Sequence, residues 1–246
     1  MPNKKILTIS LIAILLAGCA ATQTMISKRN LDVQTKMSNT VFLNPVEDAQ
    51  KTIYVQVKNT SDKPNFVVND ELKNALENKG YRVVTSLNNA HYLLQANILQ
   101  VGKTDPSAAE KALMGGYGSS LGAVFTGGAV GALATGWSGK GMLAGGLIGG
   151  VVDTVANAAV KDVTYTAITD LQISERVGKN VKIQETDEST LQQGTSSVSR
   201  QTASIQAGWM RYQTRILSSA EKVNLDFNDA LPILKNGLAN SIAGVF

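Results

Sequence analysis

The sequence predicts an α+β fold in which a small mixed globular domain is interrupted by a Gly-rich hydrophobic helical hairpin that is expected to span a membrane. Two blocks of alternating strand and helix patterns, residues 52–111 and 161–246, flank an apolar segment at residues 112–160. Glycine is concentrated in that segment, because 14 of the 22 glycines lie within residues 115–150. We therefore expect the two polar blocks to form the two parts of one globular domain.

The N-terminus has the pattern of a cleavable signal peptide, assigned to residues 1–18. Lys4 and Lys5 precede the apolar run Ile6–Leu16, which is too short to span a bilayer as a helix. The run ends in Leu-Ala-Gly-Cys at Cys19, which matches the bacterial lipobox, whose cysteine receives a diacylglycerol; the alternative is an ordinary secretory peptide with an incidental cysteine. Cys19 is the only cysteine, so it has no partner for an internal disulfide. We expect Cys19 to be lipidated and to anchor the chain in membrane lipid.

The first block begins after a polar stretch, and residues 19–51 are interpreted as a lipidated N-terminal tether. Thr52–Val57 is rich in β-branched residues and predicts a strand. Val67–Lys79 carries its apolar residues on one helical face, and Gly80 follows as a C-cap. Two further strands are predicted at Tyr81–Thr85 and Tyr92–Val101. Together these patterns predict a β-α-β-β unit.

The second block predicts three strands and a terminal helix. Apolar and polar residues alternate from Val163 to Ile173, as in a half-buried strand. Further strands are predicted at Val181–Gln184 and Met210–Leu217. The polar run Glu185–Ser204 is either a long hairpin connection or a mobile loop. Phe227–Val245 has apolar residues on one side and predicts a helix.

The apolar segment predicts two helices joined by a short turn. Ala112–Thr135 contains 24 uncharged residues, a length of about 36 Å as a helix against a hydrocarbon core of about 30 Å. Gly141–Val160 provides 20 more residues with Asp153 as the only charge. The turn between them would form an exposed hairpin tip with residues suited to a membrane interface. These tip residues are Trp137, Ser138 and Lys140.

Glycines four residues apart predict close packing between the two helices, because small residues at this spacing let helix backbones approach in a membrane. The predicted packing residues are Gly118, Gly122, Gly127, Gly131, Gly141, Gly145 and Gly149. A flexible Gly-rich linker and a helical hairpin buried in a soluble oligomer are the alternatives. A hairpin with so little side-chain bulk is expected to assemble as a homo-oligomer.

The residue types needed for catalysis or metal binding do not cluster in the sequence. His91 is the sole histidine, so a histidine-based metal site or catalytic triad has no partners. The aspartates are scattered without pairing; those considered are Asp48, Asp62, Asp153, Asp162 and Asp170. Removal of residues 1–18 takes away Lys4 and Lys5 and lowers the net charge from +4 to +2. This charge is too small for the concentrated basic face that nucleic acid requires as a partner. We expect no enzyme activity and no cofactor.

Several segments resemble one family of bacterial lipoproteins. They are Lys28–Ser38, Val57–Lys63, Lys79–Ser86, Asp162–Thr166 with Ile168–Asp170, Gln193–Thr195, and Tyr212–Arg215 running on to Lys222–Leu225. The family is that of the TraT complement-resistance, or surface-exclusion, lipoproteins. The resemblance covers nearly the whole chain after Cys19, including a Gly-rich hydrophobic middle.

The resemblance implies a protein of the outer membrane that is partly exposed at the cell surface and forms a homo-oligomer. Ala20, rather than an aspartate after the cysteine, also favours the outer membrane. The implied function is to block an outside partner, either the mating apparatus of a donor cell during conjugation or complement components. The alternative is a structural or pore-like envelope assembly formed by a ring of helical hairpins.

Overall fold

The computed structural model describes residues 28–119, 121, 162–177, 183–189, 199–205 and 208–246. Most of these residues form a curled six-stranded sheet with three helices. The strands are β1 (Asp32–Met37), β2 (Thr52–Asn59), β3 (Arg82–Val83), β4 (Tyr92–Lys103), β5 (Asp162–Arg176), β6 (Ile183–Ser189), β7 (Ser199–Ile205) and β8 (Trp209–Val223). The helices are α1 (Asn69–Asn78), α2 (Pro106–Met114) and α3 (Phe227–Ala243).

The six-stranded sheet has the order β1-β8-β5-β4-β2-β3. β2 pairs in parallel with both β3 and β4, because α1 provides the crossover that a parallel connection needs. The remaining pairs, β4 with β5, β5 with β8, and β8 with β1, are antiparallel. The 15 residue pairs between β5 and β8 make this the longest ladder of the sheet. β6 and β7 pair with each other in a separate two-stranded sheet.

The main core lies between one face of the sheet and the helices α1 and α3. Alternate strand residues point into it, together with the apolar face of each helix. Its fully buried members include Ile53, Leu72, Leu76, Leu94, Ile98, Leu171, Ile216, Leu234, Leu238 and Ile242. α1 is terminated by Gly80, the glycine predicted to close it, which lies two residues beyond the end of the helix and has a φ of +86°. The N–H groups of Gly80 and Tyr81 donate to the carbonyls of Glu77 and Leu76, a Schellman motif.

α2 packs on the opposite face of the sheet over a smaller apolar cluster. Asp105 caps this helix, and Pro106 occupies its first position, where the missing N–H is no loss. The cluster consists of Ala109, Ala112, Leu113, Ile168 and Leu217. A register shift in β4 between Ile98 and Gln100 accompanies it. α2 therefore covers only part of this face.

The prediction of a membrane-spanning helical hairpin from Ala112, and with it the predicted α+β class, is wrong. In place of a helix running from Ala112 to Thr135, α2 starts at Pro106 and ends at Met114. The chain then turns, with positive φ values of 73° at Gly116 and 72° at Gly118. Throughout the described ranges, no helix is both long and apolar enough to cross a membrane. Residues 120 and 122–160 of the predicted hairpin lie outside the described residues.

Most other predicted elements are found with small differences in their ends. β2, α1, β4, β5, β8 and α3 occur where the strand and helix patterns predicted them. Asp32–Met37, counted with the tether in the sequence, is instead an edge strand of the sheet. The paired strands β6 and β7 overlap the two ends of the polar run Glu185–Ser204 and correspond to its hairpin alternative.

Candidate functional site

A buried ion pair lies on the face of the sheet that α2 partly covers. Asp170 on β5 and Arg215 on β8 are direct cross-strand partners. Both residues are buried, with exposed fractions of 8% for Asp170 and 0% for Arg215. Arg215 Nε donates to Asp170 Oδ1 at 2.7 Å, and Nη2 donates to Oδ2 at 3.1 Å. This bidentate geometry is the strongest form of arginine–carboxylate pairing.

The remaining guanidinium donors of Arg215 hold the chain segment that follows α2. Nη1 donates to the carbonyl of Ala112 at 2.9 Å and to Ser119 Oγ at 2.7 Å. Nη2 donates to the carbonyl of Ser119 at 2.9 Å. All five N–H groups of Arg215 are therefore used, and one of them satisfies a carbonyl that the end of α2 leaves free.

The turn at residues 115–119 completes this junction. The N–H of Gly118 donates to Asp170 Oδ2 at 2.9 Å, so the same carboxylate binds the arginine and the turn. Gly116 and Gly118 both have left-handed backbone conformations, which residues with a Cβ rarely adopt. A Cβ at Gly115 would lie 2.5 Å from Ser119 Oγ. The geometry of the turn therefore favours glycine at these three positions.

Next to this junction, four glutamines form a continuous row of hydrogen-bonded amides across four strands. Gln56, Gln95, Gln172 and Gln213 are cross-strand partners in succession on β2, β4, β5 and β8. Each amide nitrogen after the first donates to the carbonyl of the preceding glutamine, at 2.8, 3.0 and 2.8 Å. We call these four residues the amide row. They lie on the same face as Asp170, opposite the main core.

A cavity of about 250 Å³ opens over part of the amide row. It is lined by Gln56, Lys58, Gln95, Ala96, Asn97, Tyr117, Gly118 and Asp170. Asn97 lies between Lys58 and Asp170 in the cross-strand register. Lys58 is exposed, and in the described part of the chain it makes no salt bridge, whereas the charge of Asp170 is paired with Arg215. The cavity therefore combines neutral amides with one unpaired cation.

The sole histidine lies at the other end of the sheet in a cluster with two more titratable groups. His91 Nε2 is buried without a hydrogen-bond partner among the described residues, and it is 3.9 Å from Glu175 Oε1. Burial lowers the pKa of His91, and the nearby Arg176 adds to this effect, whereas Glu175 opposes it. Tyr212 donates to Glu175 Oε2 at 3.0 Å. Burial and this hydrogen bond raise the pKa of Tyr212 to about 12.

The end of the sheet nearest the N-terminal tether carries a third charged cluster. Lys28 Nζ lies 2.5 Å from Glu221 Oε1, and this hydrogen bond raises the pKa of Lys28. Burial and the neighbouring Glu221 raise the pKa of Asp162. The carbonyl of Lys28 also accepts from the N–H of Val223 at 3.1 Å. In the part of the chain that is described, no group of three or more His, Cys, Asp or Glu side chains could hold a metal ion.

Most site residues predicted from the sequence lie outside the described residues. Cys19 lies outside the described residues. So do the glycines Gly122, Gly127, Gly131, Gly141, Gly145 and Gly149 and the tip residues Trp137, Ser138 and Lys140. Gly118 is described, and it lies in the turn beside Asp170 and not in a helix.

The residues that the structure brings together carried only weak signals in the sequence. Asp170 is one of several scattered aspartates, and Arg215 lies in a predicted strand. Both belong to segments that resemble the lipoprotein family, but nothing in the sequence pairs them. The amide row has one readable signal: Gln56, Gln95 and Gln172 each stand between two apolar residues that point to the opposite face of the strand. Gln213 stands between Tyr212 and Thr214, so its signal is weaker. The register that joins them is not visible in the sequence.

Comparison with known proteins gives the chain a family. A family model described as the enterobacterial TraT complement resistance protein matches residues 30–246. The chain belongs to the TraT family. The family resemblance found in the sequence is thereby confirmed, and the match includes all of the sheet and the Asp170–Arg215 junction.

Individual TraT relatives match along more than nine-tenths of their length. A TraT complement resistance protein of Escherichia coli strain K12 is 41% identical over 251 residues, covering 100% of this chain and 99% of the relative. Another from Escherichia coli is 41% identical over 239 residues, with 94% and 93% of the two chains covered. The relative from Wigglesworthia glossinidia brevipalpis is 28% identical over 243 residues, covering 98% and 96%.

Proposed function

We propose that this protein is a lipid-anchored protein of the outer membrane that protects the cell by binding an outside partner, with complement as the principal target. The observation that carries the proposal is the 41% identity to a TraT complement resistance protein over the full length of this chain. A shared fold does not by itself carry a function. Here the support comes from a match over both chains in full.

The position of the tether supports a location close to the membrane surface. Lys28 follows Cys19 by nine residues, a span of at most about 30 Å when fully extended. Lys28 is fixed to the end of β8 by its ion pair with Glu221 and by its backbone contact with Val223. An acylated Cys19 would therefore hold this end of the sheet toward the membrane, and acyl chains contribute about 0.8 kcal/mol of binding per buried methylene.

The action is proposed to be binding and not catalysis. The Asp170–Arg215 pair is hydrogen-bonded on all sides, so neither group is available to transfer a proton or attack a substrate. The resemblance to surface-exclusion lipoproteins extends the proposal to a second partner, the mating apparatus of a conjugating donor cell. Blocking in both cases would depend on a folded surface held at the membrane.

Homo-oligomerisation is part of the proposal, and the edge strand β1 supports it. Val33 on β1 is 44% exposed and Leu31 just before it is 38% exposed. In the described residues β1 pairs only with β8, so its outer edge presents free backbone groups for another strand. The mass of the detergent-purified protein, measured by light scattering, tests this point; a monomer mass at micromolar concentration would contradict it.

Serum survival tests the main proposal. A serum-sensitive strain that expresses the wild-type chain should survive normal serum better than the strain with an empty vector, and both should survive heat-inactivated serum equally. Cys19→Ser should remove incorporation of an alkyne-labelled fatty acid and abolish the protection. Equal killing of the wild-type and vector strains would contradict the proposed function, and labelling of Cys19→Ser would contradict the anchor.

A mating assay tests the second partner with the same strains. Recipients that express the wild-type chain should accept a conjugative plasmid less often than recipients that express Cys19→Ser at an equal protein level. An unchanged transfer frequency with every donor plasmid tried would restrict the function to complement.

A further inference from the structure

The amide row and the cavity beside it form a surface that the proposed function leaves without a role. We propose that this surface binds an anionic oligosaccharide, with Lys58 contacting its acidic group and the amide row contacting its hydroxyls. The proposal is independent of whether the chain protects against complement, because it rests on the chemistry of this one face.

The hydrogen-bonding capacity of the amide row matches a ligand rich in hydroxyl groups. A glutamine side chain has two N–H donors and one carbonyl acceptor. Gln95, Gln172 and Gln213 each use one donor within the row, and Gln56 uses none. Every glutamine therefore keeps at least one N–H for a ligand, and the carbonyl of Gln213 makes no hydrogen bond among the described residues. A sugar hydroxyl can accept from such a group and donate to another.

The spacing of the row also favours a saccharide. The four glutamines lie on four adjacent strands, so their side chains repeat about every 4.8 Å and span about 14 Å. This repeat is comparable to the length of one pyranose unit in a glycan. An extended peptide advances about 3.3 Å per residue and alternates its side chains, so it would fall out of step with the row.

Charge narrows the class of saccharide to an anionic one. Lys58 is exposed at the cavity without a salt bridge in the described part of the chain, and the carboxylate of Asp170 is neutralised by Arg215. The cavity therefore offers one cation and no competing anion. A single cation is too few for a nucleic acid, which needs a basic face.

The shape of the site indicates how much of the ligand is enclosed. Tyr117 is 37% exposed, lines the cavity, and donates its hydroxyl to Gln172 Oε1 at 3.5 Å. Its ring provides the apolar surface against which one face of a pyranose packs. The cavity of about 250 Å³ is smaller than a drug-sized pocket of about 300–1,000 Å³. The cavity would hold one or two sugar units, and the remaining units of the oligosaccharide would lie along the amide row.

The site is also held in shape before a ligand arrives. The amides fix one another through three hydrogen bonds, and the Asp170–Arg215 pair fixes the turn that carries Tyr117 and Gly118. Such preorganisation reduces the ordering cost of binding. Weak individual contacts can then add up to a measurable affinity.

Calorimetric titration of the full-length mature protein in detergent tests the proposal. Two anionic probes are used, both free of lipid so that neither enters the micelles. One is the phosphorylated core oligosaccharide released from an enterobacterial lipopolysaccharide, and the other is a set of muropeptides released from peptidoglycan, whose acidic groups are carboxylates. Maltotetraose serves as the neutral probe. One anionic probe should bind with a Kd below about 1 mM, at least tenfold more tightly than maltotetraose.

Two variants locate the binding site, and a third serves as the matched control. Lys58→Gln and Gln95→Leu should each weaken binding about tenfold, as loss of one or two hydrogen bonds predicts. Lys79→Gln removes an exposed lysine beyond the end of α1 and should change nothing. Since Lys58 is exposed, its variant remains informative if Gln95→Leu does not fold, which circular dichroism would reveal.

The negative results are equally definite. If neither anionic probe binds at millimolar concentration, or if maltotetraose binds as well as both, the proposal is overturned. If both variants fold and only Lys58→Gln weakens binding, charge alone holds the ligand and the proposed role of the amide row is contradicted. If only Gln95→Leu weakens binding, Lys58 does not contact the ligand and the proposal of an anionic ligand is contradicted. Binding of the core oligosaccharide alone would identify a phosphorylated glycan as the ligand. Binding of the muropeptides alone would identify a glycan whose carboxylates are carried by an attached peptide.

Discussion

Asp170 and Arg215 face each other across β5 and β8 and are joined by two hydrogen bonds of 2.7 and 3.1 Å. Burying two charges is expensive, and an ion pair in a protein interior is weak evidence of stability by itself. Its value here is positional, because the same two side chains hold the end of α2 and the turn at residues 115–119. The pair determines where the Gly-rich segment leaves the sheet.

Arg215→Met should destabilise the protein by about 3–5 kcal/mol, because Asp170 would remain buried without its partner. Urea unfolding monitored by circular dichroism measures the change. Lys36→Gln, which breaks the exposed pair between Lys36 and Glu110, is the control and should shift stability by no more than about 1 kcal/mol.

The double variant Arg215→Met with Asp170→Leu tests whether the loss of stability in Arg215→Met comes from the unpaired carboxylate of Asp170. Replacing both charges with apolar side chains removes the unpaired carboxylate, so the double variant should be more stable than Arg215→Met alone. A double variant that is less stable than the single one would show that Asp170 supports the fold chiefly through Gly118.

Gly118→Ala should destabilise the turn by about 1–2 kcal/mol, because a Cβ disfavours its φ of +72°. Nothing lies within 4 Å of the added Cβ, so the effect would come from the backbone and not from a collision. Gly118→Asn is the matched control, since asparagine tolerates this conformation better. The midpoint of urea unfolding should fall in the order Gly, Asn, Ala; equal midpoints for Asn and Ala would contradict the explanation.

Asp105→Ala should cost about 1 kcal/mol through loss of the cap on α2. Asp105 Oδ1 accepts from the N–H groups of Ser107 at 2.8 Å and Ala108 at 3.2 Å. The hydrogen bond from the side chain of Ser107 lowers the pKa of Asp105 below its ordinary 3.8. The stabilisation is therefore complete above pH 3.8 and declines as the pH falls through the lowered value. Asp105→Asn should retain most of the stability at pH 7.

His91 should make stability depend on pH in a range where no other side-chain type ordinarily titrates. Its pKa is lowered from 6.5 in the folded chain, so the unfolded chain takes up a proton first as the pH falls. Stability should be full above pH 6.5 and decrease from there toward the lowered pKa. Because the chain has one histidine, His91→Gln should show a smaller difference in urea midpoint between pH 7.5 and 5.5. The same difference in both proteins would mean that other groups cause it.

The elements predicted correctly are those in which the spacing of apolar residues shows which face is buried. The alternation in β5 and the apolar face of α3 both follow from one-sided packing against the core, and each was found in place. β1 was missed because all but one of its residues are exposed, so it has no alternation to read. α2 was not predicted, although Asp105-Pro106 is a readable helix start. The predicted helix was placed from Ala112 onward instead, because of the apolar residues that follow.

The site itself could not be predicted, because it depends on register. Asp170 and Arg215 are 45 residues apart, and only the pairing of β5 with β8 brings them face to face. A shift of one residue would turn either side chain to the other face of the sheet. The end of α2 could not be predicted either. It depends on the turn at Gly116 and Gly118, whose positive φ values arise in the folded turn and cannot be read from a hydrophobicity pattern.

The amide row has a direction. Gln213 donates to Gln172, Gln172 to Gln95, and Gln95 to Gln56, and no donor points the other way. Rotating one amide by half a turn would set two carbonyls or two N–H groups against each other, so the four side chains must reverse together or not at all. The row therefore behaves as a single polar unit with unlike ends, presenting N–H groups at β2 and a carbonyl at β8. A molecule lying along it would be bound in one orientation and rejected in the reverse.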